Sequence, residues 1–267
     1  MEIYLVDGTY ELFRHYYALP HARDDQGREV AAVRGVLASV LGMIKGGATH
    51  IGVATDHVIE SFRNELWPDY KTSEGVEPDL LAQFPLLEEV LSAAGIVVWP
   101  MVEFEADDAL AATAIAAARD PRVERTRVTI DEAGVIQKYG VSPASIPDYL
   151  GLVGDSADGY PGLAGWGAKS SAAVLAKFIR LEAIPKDCRE WQVNAANAGA
   201  LAATLCEHWD DAILFRTLAT LRTDITLFDD VDQLRWNGPT ARFDAIAARL
   251  DAAVTELRRS TARPPRC

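Results

Sequence analysis

Residues 153–169 read VGDSADGYPGLAGWGAK, and this glycine-rich stretch lies between two segments with helical patterns. A helix that begins just after Gly167 would expose consecutive backbone N–H groups, which can hold a phosphate. Lys169 and Ser170 stand beside that helix start. The stretch therefore predicts a helical hairpin that grips a nucleic-acid backbone without reading bases. A plain turn between two structural helices is the competing interpretation. The glycines assigned to the grip are Gly162, Gly165 and Gly167.

Upstream of the hairpin, short apolar strands alternate with helical patterns. The strands are Ile3–Val6, residues 50–55 and Ile96–Trp99. The helices are residues 33–44, 79–94 and 105–118. Alternation of this kind predicts an α/β fold with a mostly parallel sheet and flanking helices. Downstream of the hairpin, residues 190–222 and 243–257 read as helices, and residues 225–228 read as an extended piece.

Seven carboxylates occur in four short clusters, and each cluster follows or interrupts an apolar stretch. The ends of parallel strands and the starts of the helices after them converge on one edge of a sheet. Carboxylates gathered there repel one another and raise each other's pKa unless a cation lies among them. Oxygen ligands suit Mg²⁺ or Mn²⁺, and such a site favours hydrolysis of a phosphodiester. The seven residues are Asp7, Asp56, Glu105, Asp107, Asp108, Asp155 and Asp158.

Simpler explanations exist for parts of this set. Asp7 followed by Gly8 is also the signature of an ordinary turn. N-capping and the helix dipole would explain one or two of the acids at Glu105, Asp107 and Asp108. Capping and the dipole do not require three acids at the start of an otherwise apolar helix, so the third acid favours a metal site. The five histidines form no ligand pair at helical spacing, so we interpret them as structural or surface residues.

Cations and aromatic residues follow the second strand in the segment FRNELWPDYK, residues 62–71. Arg63 and Lys71 can pair with phosphates, and Tyr70 can stack on a base. Arg14, in an aromatic stretch after the first strand, is a similar candidate. Charged and aromatic residues are also common in surface loops, so the segment alone does not decide between the two interpretations.

The chain carries a net charge of −13, which argues against a protein that coats nucleic acid through a basic face. The charge argues less against an enzyme, because bound cations and backbone N–H groups do not enter that sum. The N-terminus MEIYLVDG has no signal-peptide pattern, and no apolar run reaches membrane-spanning length. Three cysteines without metal-ligand spacing fit a reducing compartment. We therefore expect a cytoplasmic protein with no membrane partner.

Taken together, these segments resemble the 5'-3' exonuclease and flap endonuclease family over residues 2–230. The matching stretches are LVDGTYELFRHYYALP, VATD, FRNELWPDYK, EFEADD and IPDYLGLVGDSADGYPGLAGWGAKSSAAVL. The resemblance implies a PIN-like α/β domain with a helical arch and a helix–three-turn–helix subdomain that binds DNA. It implies that two divalent metal ions serve phosphodiester hydrolysis at 5' ends and flaps of DNA. No polymerase region follows, so the chain looks like a stand-alone member. The sequence does not indicate an oligomeric state.

The resemblance also implies a role for each candidate residue. The first metal ion would be held by Asp7, Asp56, Glu105 and Asp107. The second would be held by Asp108, Asp155 and Asp158. The base of the arch, which offsets phosphate charge and handles the single strand, would include Arg63, Tyr70 and Lys71. The DNA clamp would include Gly162, Gly165, Gly167 and Lys169, with K⁺ as a further candidate ion there.

We expect a nuclease core over residues 1–140 and a helical region over 141–258. The basic, proline-containing composition of residues 259–267 predicts a disordered tail. Near residues 125–127 the chain lacks the family's segment with a Thr-x-Asp-Lys-Asp type motif, and residues 123–130 read as one strand instead. Two acids are lost with that segment, so we expect the second metal ion to bind poorly, or only with DNA, and activity to be reduced. Glu74 stands where the arch usually carries another basic residue.

Three other functions stay open at this point. A catalytically weak or inactive protein that selects DNA structures would keep the clamp without turnover. A PIN-type ribonuclease would share the acidic pocket but would need no helical clamp. A metal hydrolase for small phosphate substrates is disfavoured by the glycine-rich clamp.

Overall fold

The structure is a computed structural model that describes residues 1–126 and 132–261. Contacts divide these residues into two compact units. The first, called here the sheet unit, contains residues 1–61, 73–126 and 222–261. The second, called here the hairpin unit, contains residues 62–72 and 132–221. Within the described ranges, no helix combines the length and the apolar character needed to cross a membrane.

Twelve helices are present in the described part of the chain. In chain order they are α1 (Gly8–Ala18), α2 (Ala31–Lys45), α3 (Arg63–Leu66), α4 (Pro78–Leu81), α5 (Gln83–Ala93), α6 (Ala106–Ala118), α7 (Glu132–Tyr139), α8 (Ile146–Val153), α9 (Ala168–Phe178), α10 (Ala198–Glu207), α11 (Trp209–Ala219) and α12 (Phe243–Thr261). Short 3-10 turns occur at Pro143–Ser145, Leu181–Ala183, Cys188–Glu190 and Val231–Leu234.

The sheet unit is built on four parallel strands. They are β1 (Glu2–Asp7), β2 (His50–Asp56), β3 (Val97–Met101) and β4 (Arg125–Thr126). Their order in the sheet is β3-β2-β1-β4, so β1 and β2 are central and the strand order reverses at β1. This arrangement confirms the predicted α/β fold with a parallel sheet.

Side chains alternate across this sheet and bury two separate apolar layers. Ile51 and Val53 of β2 pack with residues of α1, α2, α5 and α12 on one face. Ala54 of β2 packs with Ile3 and with the alanines of α6 on the other face. The small side chains of α6 let this helix lie close to the strands. The two central strands are therefore covered on both faces, as expected for a parallel sheet.

The hairpin unit has an apolar core of its own, built mainly from α8 to α11 and the loops between them. Trp166 in the glycine-rich loop donates from its ring nitrogen to the carbonyl of Leu201 over 3.1 Å. Asp148 of α8 is buried, and its carboxylate accepts from Arg180, Arg216 and the backbone N–H of Leu181. A buried carboxylate requires such partners, because an isolated buried charge is costly.

The structure refines several sequence-based expectations. Residues 225–228, expected to be extended, belong to no strand. Of the strand predicted over residues 123–130, only Arg125–Thr126 pairs with β1, while residues 127–131 lie outside the described residues. Helix α12 continues to Thr261 and so extends into the predicted tail, of which residues 262–267 lie outside the described residues. Contacts also group residues 222–261 with the sheet unit, whereas the sequence-based division places most of them in the helical region.

Candidate active site

Asp7 and Asp56 end the two central strands, on the same face of the sheet. Alternation along each strand puts Asp7 on the face of Ile3 and Asp56 on the face of Ala54, which is the face covered by α6. Asp7 is in register with Ala54, so Asp56 lies two residues further along the neighbouring strand. Strand rise and strand spacing then separate the two Cα atoms by about 8 Å. Two carboxylates at that spacing can turn toward one ion.

A helix N-terminus meets each of these two carboxylates. Oδ1 of Asp7 accepts from the backbone N–H of Tyr10 at 2.8 Å and caps α1. Oδ1 of Asp56, which is 2% exposed, accepts from the backbone N–H of Ala106 at 2.6 Å. Ala106 is the first residue of α6. The positive ends of two helix dipoles therefore offset part of the negative charge that collects at this edge.

Gly8 allows α1 to begin directly against β2. A Cβ atom at this position would lie 2.8 Å from Cγ2 of Thr55 and 2.9 Å from the carbonyl oxygen of Ala54. Thr9, the next residue, accepts the backbone N–H of Asp56 on its hydroxyl over 2.7 Å. Asp7 followed by Gly8 could also mark an ordinary turn, but the structure shows that the close approach of α1 to β2 is what excludes a side chain at Gly8.

Glu105, Asp107 and Asp108 open α6, and one described contact of Asp108 is a capping contact. Glu105 is the N-cap residue, and its side chain accepts from the hydroxyl of Ser61 over 2.7 Å. Asp108 is 0% exposed, and its carboxylate accepts the backbone N–H groups of Glu105 (3.0 Å) and Arg222 (2.8 Å). Asp107 is exposed. The alternative interpretation, in which these acids cap the helix, is therefore confirmed for Asp108.

The seven carboxylates are divided between the two units. No group of three or more His, Cys, Asp or Glu side chains in residues 1–126 and 132–261 could hold a metal ion. Asp155 and Asp158 belong to the hairpin unit, and the other five belong to the sheet unit. The assignment of these residues to two metal ions stays a prediction.

In the hairpin unit, residues 62–72 are bound to the loop that carries Asp155 and Asp158. The backbone N–H of Lys71 donates to the carbonyl of Asp158 over 3.0 Å. The ring nitrogen of Trp67 donates to the carbonyl of Gly159 over 3.1 Å. Within the loop, Oδ1 of Asp155 accepts from the backbone N–H of Ala157 over 2.9 Å. Two segments that we singled out separately are thus brought together by backbone and side-chain hydrogen bonds.

Arg63 and Tyr70, predicted to contact phosphate and base, are both buried. Arg63 is 1% exposed and donates to the carbonyls of Leu218 and Thr220. Tyr70 is 2% exposed, and its ring stacks on that of Tyr160 with the centroids 6.2 Å apart. Both side chains therefore have structural partners in this unit. Their contacts with DNA stay predictions, and they require these side chains to become accessible.

The glycine-rich loop leads into α9 as the sequence predicts. Gly167 is the N-cap residue of α9, and Lys169 in the first turn is exposed. Ser170 is half-buried. Gly162 and Gly165 have φ angles of 68° and 83°. The helix N-terminus suited to a phosphate is therefore present, while contact of these residues with DNA stays a prediction.

The remaining charged positions that the sequence singled out are Arg14 and Glu74. Arg14 is exposed and forms an ion pair with Glu11, and that hydrogen bond raises the pKa of the guanidinium. Glu60 accepts both the hydroxyl and the backbone N–H of Ser73, which lowers the pKa of the Glu60 carboxyl. Ser73 immediately precedes Glu74, where the family's arch usually carries a basic residue.

Sequence reasoning missed a buried carboxylate behind Asp56. Glu88 of α5 is 8% exposed and accepts from the hydroxyl of Thr55 over 2.8 Å. Its other carboxylate oxygen lies 2.8 Å from Nδ1 of His57. Glu88 lies four residues after Phe84 and beside Leu87, within the apolar stripe of α5. An acid in such a stripe was the signal that could have identified it.

The two halves of the chain match two parts of one protein family. Residues 2–136 match the 5'-3' exonuclease, N-terminal resolvase-like domain. Residues 141–242 match the 5'-3' exonuclease, C-terminal SAM fold. The chain belongs to the 5'-3' exonuclease family, which confirms the class of nuclease that the sequence indicated.

Curated relatives agree with this assignment. The chain is 28% identical to DNA polymerase I of Bacillus subtilis over 265 residues, which cover 89% of this chain and 30% of that protein. It is 29% identical to the 5'-3' exonuclease of Aquifex aeolicus over 214 residues, which cover 71% of this chain and 74% of that protein. The chain thus spans less than a third of the polymerase relative's length.

Solved structures show the same fold. T5 5'-exonuclease, solved with divalent zinc ions, has a TM-score of 0.62 at 15% identity, covering 95% of this chain and 99% of that one. The catalytic core of Rad2 in complex with DNA substrate has a TM-score of 0.57 at 16% identity, covering 95% of this chain and 91% of that one. These likenesses confirm the α/β fold with its helical part.

Proposed function

We propose that this chain is a divalent-metal-dependent 5'-3' exonuclease or flap endonuclease that hydrolyses DNA phosphodiesters. The observation that carries the proposal is the pair Asp7 and Asp56, which end adjacent central strands on one face and each accept a hydrogen bond from a helix N-terminus. Family membership and the zinc ions and DNA in the T5 and Rad2 structures support it. DNA with 5' ends or flaps is the proposed partner.

The residues at this edge fit a hard divalent cation. Mg²⁺ is held in many proteins by one or two carboxylates together with substrate phosphates and water. Asp7 and Asp56 supply that number of carboxylates, and the helix N-termini hold one oxygen of each in place. We therefore propose Mg²⁺ or Mn²⁺ as the ion. K⁺ at the glycine-rich helical hairpin is a further proposal.

Each unit has a proposed part in the reaction. A divalent ion bound here would lower the pKa of a water molecule and stabilise charge on the phosphate. Asp7 and Asp56 would hold that ion, Lys71 would offset phosphate charge, and the N–H groups at the start of α9 would hold duplex backbone beside Lys169. The proposed domain division is residues 1–140 for the nuclease core and 141–258 for the helical region.

A catalytically weak, structure-selective DNA-binding protein is the second candidate. It is favoured by the lack of any three-carboxylate metal group in the described residues. In two-metal hydrolysis both ions stabilise charge at the reacting phosphate, so a weakened second site lowers turnover. The clamp at α9 does not depend on that site.

Cleavage and binding of a 5'-flap DNA, measured side by side with Mn²⁺, separate the two candidates. The proposal expects metal-dependent cleavage that Asp56→Asn abolishes while DNA binding persists. DNA binding without cleavage at high protein and Mn²⁺ concentration would instead support the second candidate. Equal cutting of single-stranded RNA, with indifference to duplex junctions, would contradict both.

A further inference from the structure

The backbone on either side of Asp56 is attached to one buried carboxylate on the opposite face of the sheet. Glu88 of α5 accepts the hydroxyl of Thr55 at one oxygen and contacts Nδ1 of His57 with the other, both over 2.8 Å. Thr55 and His57 are two residues apart, so alternation directs both toward α5 and directs Asp56 between them toward α6. Glu88 therefore contacts the residue immediately before and the residue immediately after the candidate metal ligand Asp56.

Asp56 itself is fixed by two further hydrogen bonds on its own side. Its backbone N–H donates to Thr9, and its Oδ1 accepts from Ala106. β1 has already turned into α1 at Gly8, so the backbone of Asp56 extends beyond the strand pairing with β1. On that side the end of β2 is paired only with β3, where Asp56 is in register with Met101. Side-chain contacts hold it as well, and Glu88 supplies two of them.

We infer that Glu88 and His57 are positioning residues that hold the carboxylate of Asp56 in place for a divalent cation. This inference rests on the proposed metal site. Neither residue has to touch the ion, because each acts through the backbone of residues 55–57. Partners that orient metal ligands from behind commonly change metal affinity by about 10- to 100-fold when they are removed.

Mn²⁺ binding to the full chain without DNA, measured by titration calorimetry, tests the inference apart from activity. We expect Glu88→Ala to weaken Mn²⁺ affinity by about 10-fold or more. Glu88→Gln keeps an acceptor for Thr55 and a polar group for His57, so it should restore affinity close to that of the unaltered chain. Glu89→Gln, the matched control one position along α5, removes the negative charge of an exposed partner of Arg242 and should leave affinity unchanged.

Thermal unfolding of each variant shows whether a loss of Mn²⁺ affinity comes only from a loss of folded protein. If Glu88→Ala does not fold, His57→Ala decides the question, since its side chain is 39% exposed and tolerates truncation better. The inference is overturned if Glu88→Ala folds and binds Mn²⁺ as tightly as the unaltered chain. If Glu88→Ala does not fold, the same result with His57→Ala overturns it. Asp56→Asn separates the two hypotheses: if it leaves Mn²⁺ binding unchanged, the proposed metal site itself fails.

Discussion

Nε of Arg63 donates to the backbone carbonyl of Leu218 over 2.8 Å, and Nη2 donates to the carbonyl of Thr220 over 3.0 Å. Leu218 lies in the last turn of α11, where carbonyl groups have no partner within the helix. The guanidinium of Arg63 therefore supplies hydrogen-bond donors to carbonyl groups at the C-terminal end of α11, more than 150 residues later in the chain. This contact gives Arg63 a structural role that is independent of any phosphate.

Replacing Arg63 with Met should destabilise the protein by about 2–3 kcal/mol, because hydrogen bonds from a charged group are lost and two carbonyls are left without their donor. Urea unfolding measures the change. Arg189→Met is the matched control, since this arginine is 87% exposed and its removal should change stability by less than about 0.5 kcal/mol. Equal stability of the Arg63 and Arg189 variants would contradict the structural role.

The glycines of the hairpin differ in what they tolerate, which allows folding and DNA binding to be separated. Gly162 has a φ of 68°, and a Cβ there would lie 2.3 Å from the backbone nitrogen of Gly154. Gly167 has an ordinary φ of −111° and open space around it. We expect Gly162→Ala to lower the free energy of unfolding by about 1–3 kcal/mol. Gly167→Ala should change it little.

Titration of the two glycine variants with duplex DNA completes this test. Gly167→Ala should keep its stability, so a loss of DNA affinity in that variant would report on the start of α9 itself. If Gly162→Ala is as stable as the unaltered chain, the close approach to Gly154 is not as restrictive as the structure indicates.

Much of the sheet could be predicted from the sequence because its strands are buried apolar runs. Strands β1 to β3 and the strand ends at Asp7 and Asp56 followed from that pattern alone. The pairing of Arg125–Thr126 with β1 could not be placed, since a two-residue strand leaves no periodicity. The return of residues 222–261 to the sheet unit depends on tertiary contacts such as the backbone hydrogen bond from Trp236 to Thr49.

The candidate site was predictable in residue type but not in contacts. A carboxylate at a strand end can be a ligand, a helix cap or both, and sequence does not distinguish these roles. Asp108 shows this, because its described hydrogen bonds run to the backbone of Glu105 and Arg222. Burial is equally hidden in a segment such as FRNELWPDYK, where Arg63 and Tyr70 read as surface residues. Glu88 was missed because its partners, Thr55 and His57, are over 30 residues away.

Lys169 should contribute one phosphate contact to DNA binding if the start of α9 holds duplex backbone. Lys169→Gln should then lower the slope of log affinity against log salt by about 0.9. Binding is measured with EDTA present, so that cleavage does not interfere. Lys177→Gln is the control, because it makes the same charge change in the last turn of the same helix. An equal change in slope for both variants would contradict a specific contact at the helix start.

Arg122 links the loop after α6 to residues 230–232 through Asp120, Asp230 and Asp232. Its hydrogen bonds hold the pKa of Asp120 at about 2, below the ordinary value near 3.8. A carboxyl whose folded-state pKa is lowered stabilises the fold above its unfolded pKa and loses that contribution as pH falls through the folded value. The stability difference between the unaltered chain and Arg122→Gln should therefore be fullest above about pH 4 and shrink toward pH 2. Urea unfolding across this range measures it, and the pH dependence should diminish when both proteins carry Asp120→Asn. A difference that stays constant from pH 5 to pH 2 would show that Arg122 acts through packing and not through the charge of Asp120.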